Sequence, residues 1–153
     1  MDKSLEIAEA LCKQFEGFSS KPYLCPAGYW TIGYGTVYKP DRTVVRPQDA
    51  PISQEQAEEW LKHELRHNYL AGVLHASPIL VQYPDALGAI TDFAYNLGVG
   101  RYRASTLRKR IDSGDWSAAG SELQKWIRGG GKVLRGLVLR RHAELKYINN
   151  HVI

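Results

Sequence analysis

The stretch from Glu16 to Gly35 limits the fold of this chain more than any other. Before it, Leu5, Ala8, Leu11, Cys12 and Phe15 recur at three- and four-residue steps with charges between them, which predicts a helix over 3–16. Gly17 is its stop. Pro22, Pro26 and Gly28 then forbid a helix, and the aromatic and β-branched run Tyr29–Gly35 reads as a strand. Alternation puts Trp30, Ile32 and Tyr34 on one face and Thr31, Gly33 and Gly35 on the other. The bare face lets another backbone, or a ligand, come close. Helix end, loop and strand can thus turn Glu16, Cys25 and Thr31 into one gap.

After a little more strand, the rest of the chain is helical. Val37–Tyr38 and Thr43–Val45 read as further strand around a turn at Pro40-Asp41. Ser53-Gln54-Glu55-Gln56 is a capping box, and the pattern it opens runs to about His75 with Ala57, Leu61, Leu65 and Val73 on its buried side. Pro84-Asp85 opens a helix with Leu87, Ile90, Phe93, Ala94 and Leu97 as its stripe, ended by Gly98 and Gly100. Short helices succeed it over Thr106–Ile111 and, capped by Asp115, over Trp116–Trp126. Gly129-Gly130-Gly131 reads as a joint, and Gly136–Asn149 as a last helix with Leu137, Leu139, Leu145 and Ile148 on its apolar side. Early strands and later helices predict an α+β fold, mostly α.

The E-8-C-5-T spacing of Glu16, Cys25 and Thr31, continued by Thr31-Ile32-Gly33-Tyr34-Gly35, resembles the signature of the phage-type lysozymes, glycoside hydrolase family 24. Phe93-Ala94-Tyr95-Asn96-Leu97-Gly98, Ser105-Thr106-Leu107 with Trp116, and Gly136-Leu137 with Arg140-Arg141 and Glu144 resemble the family's later segments. The resemblance implies a two-lobed lysozyme-like fold: one domain over 1–153, with a β-hairpin lobe at about 17–52, a connecting helix at about 53–75, and a helical lobe at about 76–153 joined by the first helix. It implies an endolysin that cuts the β-1,4 bond between N-acetylmuramic acid and N-acetylglucosamine in peptidoglycan. Glu16 is then the general acid, and Cys25 and Thr31 handle the water. Val37, Tyr95, Asn96 and Thr106 are implied substrate contacts. No cofactor and no metal are implied. The family also implies a monomer that accumulates in the host cytoplasm and reaches the periplasm or wall through a holin.

Glycoside cleavage asks for a proton on the leaving oxygen and a group to meet the cationic carbon, usually from two carboxyls about 6.5–9.5 Å apart when a water lies between them. Cys25 stands where the commoner form has Asp. A free thiol has a pKa of about 8.5, so little is thiolate at neutral pH. A thiolate could also attack the sugar itself and give retention; the resemblance favours the water route and inversion. Arg140 or Arg141 could lie against Glu16 and favour its carboxylate. The two cysteines, Cys12 and Cys25, read as reduced. A bridge between them would silence the site.

Charge is uneven. Residues 1–100 hold 8 Lys/Arg and 12 Asp/Glu, while 101–153 hold 12 and 4. The basic half suits anionic wall or outer-membrane polymers. A non-catalytic module binding wall or nucleic acid would share that balance, though no nucleic-acid motif is present and none is expected as a partner. His63-Glu64-Leu65-Arg66-His67 matches the zinc-protease motif, but Leu61 and Leu65 place its histidines outward. Leu70 and Val73 stand where the extended motif's Gly and His would be. No early apolar run is long enough for a signal peptide.

Overall fold

The computed structural model describes residues 2–153. Helix α1 (Asp2–Glu16) leads into an antiparallel hairpin, β1 (Ser19–Leu24) and β2 (Trp30–Gly33). A long helix comes next in three parts: α2 (Gln54–Glu64), a π-helical turn over Leu65–Leu70, and α3 (Ala71–Ala76). The back of the molecule holds α4 (Pro84–Leu97), α5 (Val99–Ala104), α6 (Thr106–Asp112), α7 (Trp116–Leu123), a two-residue hairpin β3 (Arg128–Gly129) and β4 (Lys132–Val133), and α8 (Arg135–Asn149). This is the expected mostly helical, two-lobed arrangement with the long helix as its spine.

α4 is the core element. Every side chain from Ala86 to Ala94 is buried, so the stripe expected on one face covers the whole middle of the helix. One cluster packs Leu80, Leu87, Ile90, Phe93, Leu107 and Ile111. A smaller one packs Ala8, Cys12, Tyr34, Ala57, Leu61 and Leu65 where α1, the hairpin and α2 meet. Full burial stabilises each Leu or Ile by about 1.5–3 kcal/mol over exposure, so both clusters hold the lobes in place. α1 lies so close to α4 that a Cβ at Gly88 would sit 2.7 Å from the Ile7 Cβ and 2.7 Å from the Ser4 carbonyl oxygen.

Several local expectations need correcting. In β2 the faces do not alternate: Thr31, Ile32, Gly33 and Tyr34 are all buried, and Trp30 is exposed. Gly33, at φ +66°, ends the strand, and α2 covers its bare side, where a Cβ would lie 3.1 Å from that of Ala57. Val37–Tyr38 and Thr43–Val45 make only one bridge, Tyr38 to Val44. The spine is not a uniform α-helix. Its π turn adds a residue and rotates α3 relative to α2, which buries Leu70 as well as Val73. Gly98 (φ +101°) ends α4, but Gly100 lies inside α5. α7 stops at Leu123, short of Trp126. Of the triple glycine, Gly129 ends β3, and Gly130-Gly131 make the turn to β4. In α8, Leu139 is exposed, and the buried positions are Arg140, Arg141, Glu144 and Ile148.

Candidate active site

Glu16 is the last residue of α1. Gly17 turns left-handed at φ +71° and donates its N–H to the Lys13 carbonyl, which ends the helix there. The carboxylate is held from two sides. Arg140 Nη1 donates to Oε2 at 2.7 Å from α8. On the other side the backbone of Gly35 presses close, so that a Cβ there would lie 2.8 Å from Oε1. At φ +80°, Gly35 is also in a conformation that suits glycine. The Glu16 side chain keeps 22 % exposure, so it is fixed yet reachable. It borders a cleft of about 400 Å³ lined by Phe15, Asn96, Leu134, Gly136, Leu137 and Arg140.

The hairpin carries the thiol. Tyr23 pairs with Thr31 and Leu24 with Trp30, and the Cys25 N–H donates to the Tyr29 carbonyl at 2.9 Å. The Gly28 N–H returns to the Cys25 carbonyl, closing a tight turn with Gly28 at φ +90°. Hydrogen bonds from the backbone of Tyr29, Ala27 and Gly28 and from the Thr31 hydroxyl outweigh a desolvation cost and hold the Cys25 thiol below its ordinary pKa. Thr31 is 3 % exposed, and its hydroxyl also lies 3.0 Å from the Tyr29 carbonyl, which competes with Cys25 for its single proton. Burial first, then the charges of Glu16 and of Cys25, push the Tyr23 phenol pKa up. Cys25 and Thr31 thus share the turn of the hairpin, and Glu16 stands at the end of α1 against Gly35, just beyond β2. Both cysteines are free; Cys12 is sealed in the core, and its thiol donates to Asp92 Oδ1 at 3.1 Å.

The family model for phage lysozyme matches residues 13–144, which include all three of these side chains. The chain belongs to the phage lysozyme family. This makes it a glycoside hydrolase of the peptidoglycan-cleaving lysozymes. The endolysin of Acyrthosiphon pisum secondary endosymbiont phage 1 is 33% identical over 138 residues, 88% of this chain and 89% of that one. The endolysin of Bacillus phage B103 is 38% identical over 136 residues, of which this chain spans 49% of the relative's length. The solved endolysin of Escherichia coli O157:H7 phage FAHEc1 superposes with a TM-score of 0.79 at 28% identity, covering 99% of this chain and 94% of that one.

Behind Glu16 the lysozyme has a buried ionic network that the apolar pattern missed. Arg140 grips Asp92 with two nitrogens, Nε to Oδ2 at 2.9 Å and Nη2 to Oδ1 at 2.7 Å. Burial would raise the Asp92 pKa, but hydrogen bonds from Glu144 and Arg140 outweigh it and hold the group below the usual carboxylate range. Glu144 is pushed well up, first by burial and then by Asp92, which favours its protonated form. Arg141 lies 2.8 Å from Glu144 Oε1 and donates to Asn96 Oδ1 at 2.7 Å. One signal was present in the sequence: Asp92 is a charge inside an otherwise apolar stripe, and such a charge needs a partner. Two of the twelve cations in the basic half, Arg140 and Arg141, are thus buried here and add nothing to its surface field.

The other candidates separate. Asn96 lines the Glu16 cleft, with its carbonyl held by Arg141. Val37 and Tyr95 line a second, smaller cavity, and the Tyr95 hydroxyl donates to the Tyr34 carbonyl at 2.7 Å. Thr106 is exposed at the start of α6 and lines neither. His63 and His67 stack on each other, ring centroids 4.5 Å apart, while Glu64 is buried on the inner side of the spine. Among the described residues, no three His, Cys, Asp or Glu side chains converge as metal ligands would. The His-Glu-x-x-His match therefore lacks the geometry its chemistry requires.

Proposed function

We propose that the lysozyme is an endolysin that hydrolyses the β-1,4 bond between N-acetylmuramic acid and N-acetylglucosamine, with Glu16 as general acid. The glycan lies in the cleft beside Phe15, Asn96 and Leu137. Protonated Glu16 gives its proton to the glycosidic oxygen as the bond to the anomeric carbon breaks. A water attacks that carbon from the opposite face. The water's proton passes to the Cys25 thiolate, and Thr31 orients it. The product is inverted, and Arg140 is the counter-charge to the carboxylate left behind. Val37, Tyr95 and Asn96 contact the substrate. Thr106, exposed at the start of α6, belongs to the same reading as a contact outside the two cavities.

What carries the reading is a partly exposed carboxylate, held by Arg140 at 2.7 Å on the edge of a cleft, with a thiol on the hairpin that follows whose ionised form is favoured. Retention through a cysteinyl-sugar intermediate is the second reading, since the same low thiol pKa favours attack. Digestion of purified peptidoglycan decides between them. Wild type releases new reducing ends whose first-formed anomer is inverted, and Glu16→Gln releases none. Full release by the variant would remove Glu16 from the mechanism.

We further propose that residues 1–153 act as one monomeric lysozyme domain with lobes near 17–52 and 76–153. The relatives are phage endolysins, and the same role here is lysis of the host wall, from the host cytoplasm through a holin. The exposed cations Arg101, Arg103, Lys109, Arg110, Lys125 and Arg128 hold the enzyme near anionic wall or outer-membrane polymers, without nucleic acid as a partner.

A further inference from the structure

The spine carries two histidines that catalysis does not use. His63 stands in α2, and His67 follows four residues later in the π turn. Their rings lie side by side, with centroids 4.5 Å apart and planes tilted by 47°. His67 is exposed and His63 half-buried. The covered nitrogen of His63 is Nδ1, which leaves Nε2 as the one towards solvent. Glu64 is buried on the inner side of the spine, so it does not belong to the pair.

The ring separation is the one a shared cation requires. Imidazole nitrogens bind zinc-like ions at about 2.0–2.1 Å. With the ring centre about 1.1 Å further back, two nitrogens at about 90–110° around one ion put their ring centres about 4.5–5.2 Å apart. The neighbouring charges leave room for an ion. Lys62 and Arg66 precede the two histidines, and adjacent helix positions do not face each other. Both border a hollow against α1 together with Asp2, Glu6 and Glu9, and Lys62 Nζ lies 4.0 Å from Glu9 Oε1. Their positive charge is thus directed at the acids of α1. Imidazole pairs suit nickel, copper and zinc, whereas magnesium and calcium prefer oxygen ligands.

We propose that His63 and His67 form a two-nitrogen site for a divalent cation of the nickel or zinc kind, with water completing its shell. The site is separate from the Glu16 cleft and supplies no chemistry to it. Its effect is mechanical. One ligand stands on the α-helical part of the spine and the other on the π turn, so a bound cation ties that joint together.

The test uses the metal alone. The ¹⁵N-labelled protein is titrated with Ni²⁺, and with Mg²⁺ as the hard-ion control. Saturable paramagnetic broadening centred on the His63 and His67 amides is expected with Ni²⁺, and no saturable change there with Mg²⁺. Broadening centred instead on Cys25, His75, His142 or His151 overturns the proposal, and so does an equal response to Mg²⁺. His67→Ala removes an exposed side chain, and His63→Ala is the second variant if the first does not fold. Either is expected to weaken Ni²⁺ binding by about tenfold or more, since even the groups behind a metal ligand cost about 10- to 100-fold when removed. Undiminished affinity in both variants overturns the site. Hydrogen exchange tests the clamp. Opening that separates the two histidines is suppressed by the ratio of free metal to its Kd, so Zn²⁺ at ten times Kd is expected to slow exchange of the Leu65–Leu70 amides about tenfold. Unchanged exchange with both histidines occupied would overturn the clamp.

Discussion

Arg140 joins Glu16 to Asp92: one guanidinium, 124 residues from the first carboxylate and 48 from the second, hydrogen-bonds both. Burial works against its charge, and its hydrogen bonds to Asp92 with the charges of Asp92 and Glu16 more than restore it. The two carboxylates are not equivalent. Asp92 has no exposure, and Glu16 retains 22 %.

Removing each partner therefore costs differently. Glu16→Gln leaves Arg140 paired with Asp92 and is expected to change stability by about 1 kcal/mol or less. Arg140→Met strands the buried Asp92 and is expected to cost about 3–5 kcal/mol. Urea denaturation of both variants measures the contrast. Similar losses for the two would mean that Asp92 does not depend on Arg140.

Cys25→Ala is expected to lower the rate of wall lysis about 10²- to 10⁴-fold, and Cys25→Asp to keep most of it. The thiol pKa is held low, so wild-type activity rises with pH as the thiolate forms, beginning below the ordinary thiol range. That limb is absent in Cys25→Asp. Brief iodoacetamide treatment and then peptide mapping are expected to show label on Cys25 and none on Cys12, whose buried thiol is pushed well up by desolvation. Adducts on Cys12, or a fully active labelled protein, would argue against the role.

Gly35→Ala acts on the site more than on the fold. Its left-handed backbone costs an Ala about 1–2 kcal/mol. Its Cβ would also displace the Glu16 carboxylate. Misplacing that group is expected to cost about a hundredfold in turnover. Turnover per folded molecule, with folded fraction taken from a melt, tests this; an unaffected rate would show that the Gly35 contact does not position Glu16.

Gly88→Ala is the opposite case. Helix propensity alone favours Ala by about 1 kcal/mol. The new Cβ meets the Ser4 carbonyl and the branched carbon of Ile7, neither of which can rotate away. Overpacking wins, and a net loss of about 1–3 kcal/mol is expected with turnover per folded molecule unchanged. A more stable variant would mean that α1 slides off α4 freely.

Glu144 makes stability depend on pH. Its folded pKa is raised well above the usual value, so the folded state keeps a proton that the unfolded chain releases from about pH 4.3 upward. Its contribution is full below that point and is lost as pH rises towards the folded value. Glu144→Gln removes this loss. Denaturation at pH 4.5 and pH 8 is expected to show a smaller decline for the variant than for wild type. Parallel declines would place the proton elsewhere.

The elements that carry Glu16, Cys25 and Thr31 were legible because they are local. A helix end, a glycine stop and a tight hairpin are each set by backbone geometry that nearby residues dictate. The buried face of α8 was not legible. Apolar periodicity points to Leu137 and Leu139, whereas the chain buries Arg140, Arg141 and Glu144. Those charges tolerate burial only because Asp92 and Asn96 meet them from a distant helix. The π turn was hidden for a similar reason, since it is needed only where Leu65 faces the smaller cluster while Leu70 and Val73 face the larger one.

Sequence alone thus determined the helices, the hairpin and the spacing of the reacting groups, which depend on caps, turns and side-chain period. Tertiary packing decided which carboxylate is reachable, which acid keeps its proton, and that Glu64 is buried instead of solvated. Those outcomes depend on what lies across the core, because desolvation and pairing are set by groups far apart in the chain.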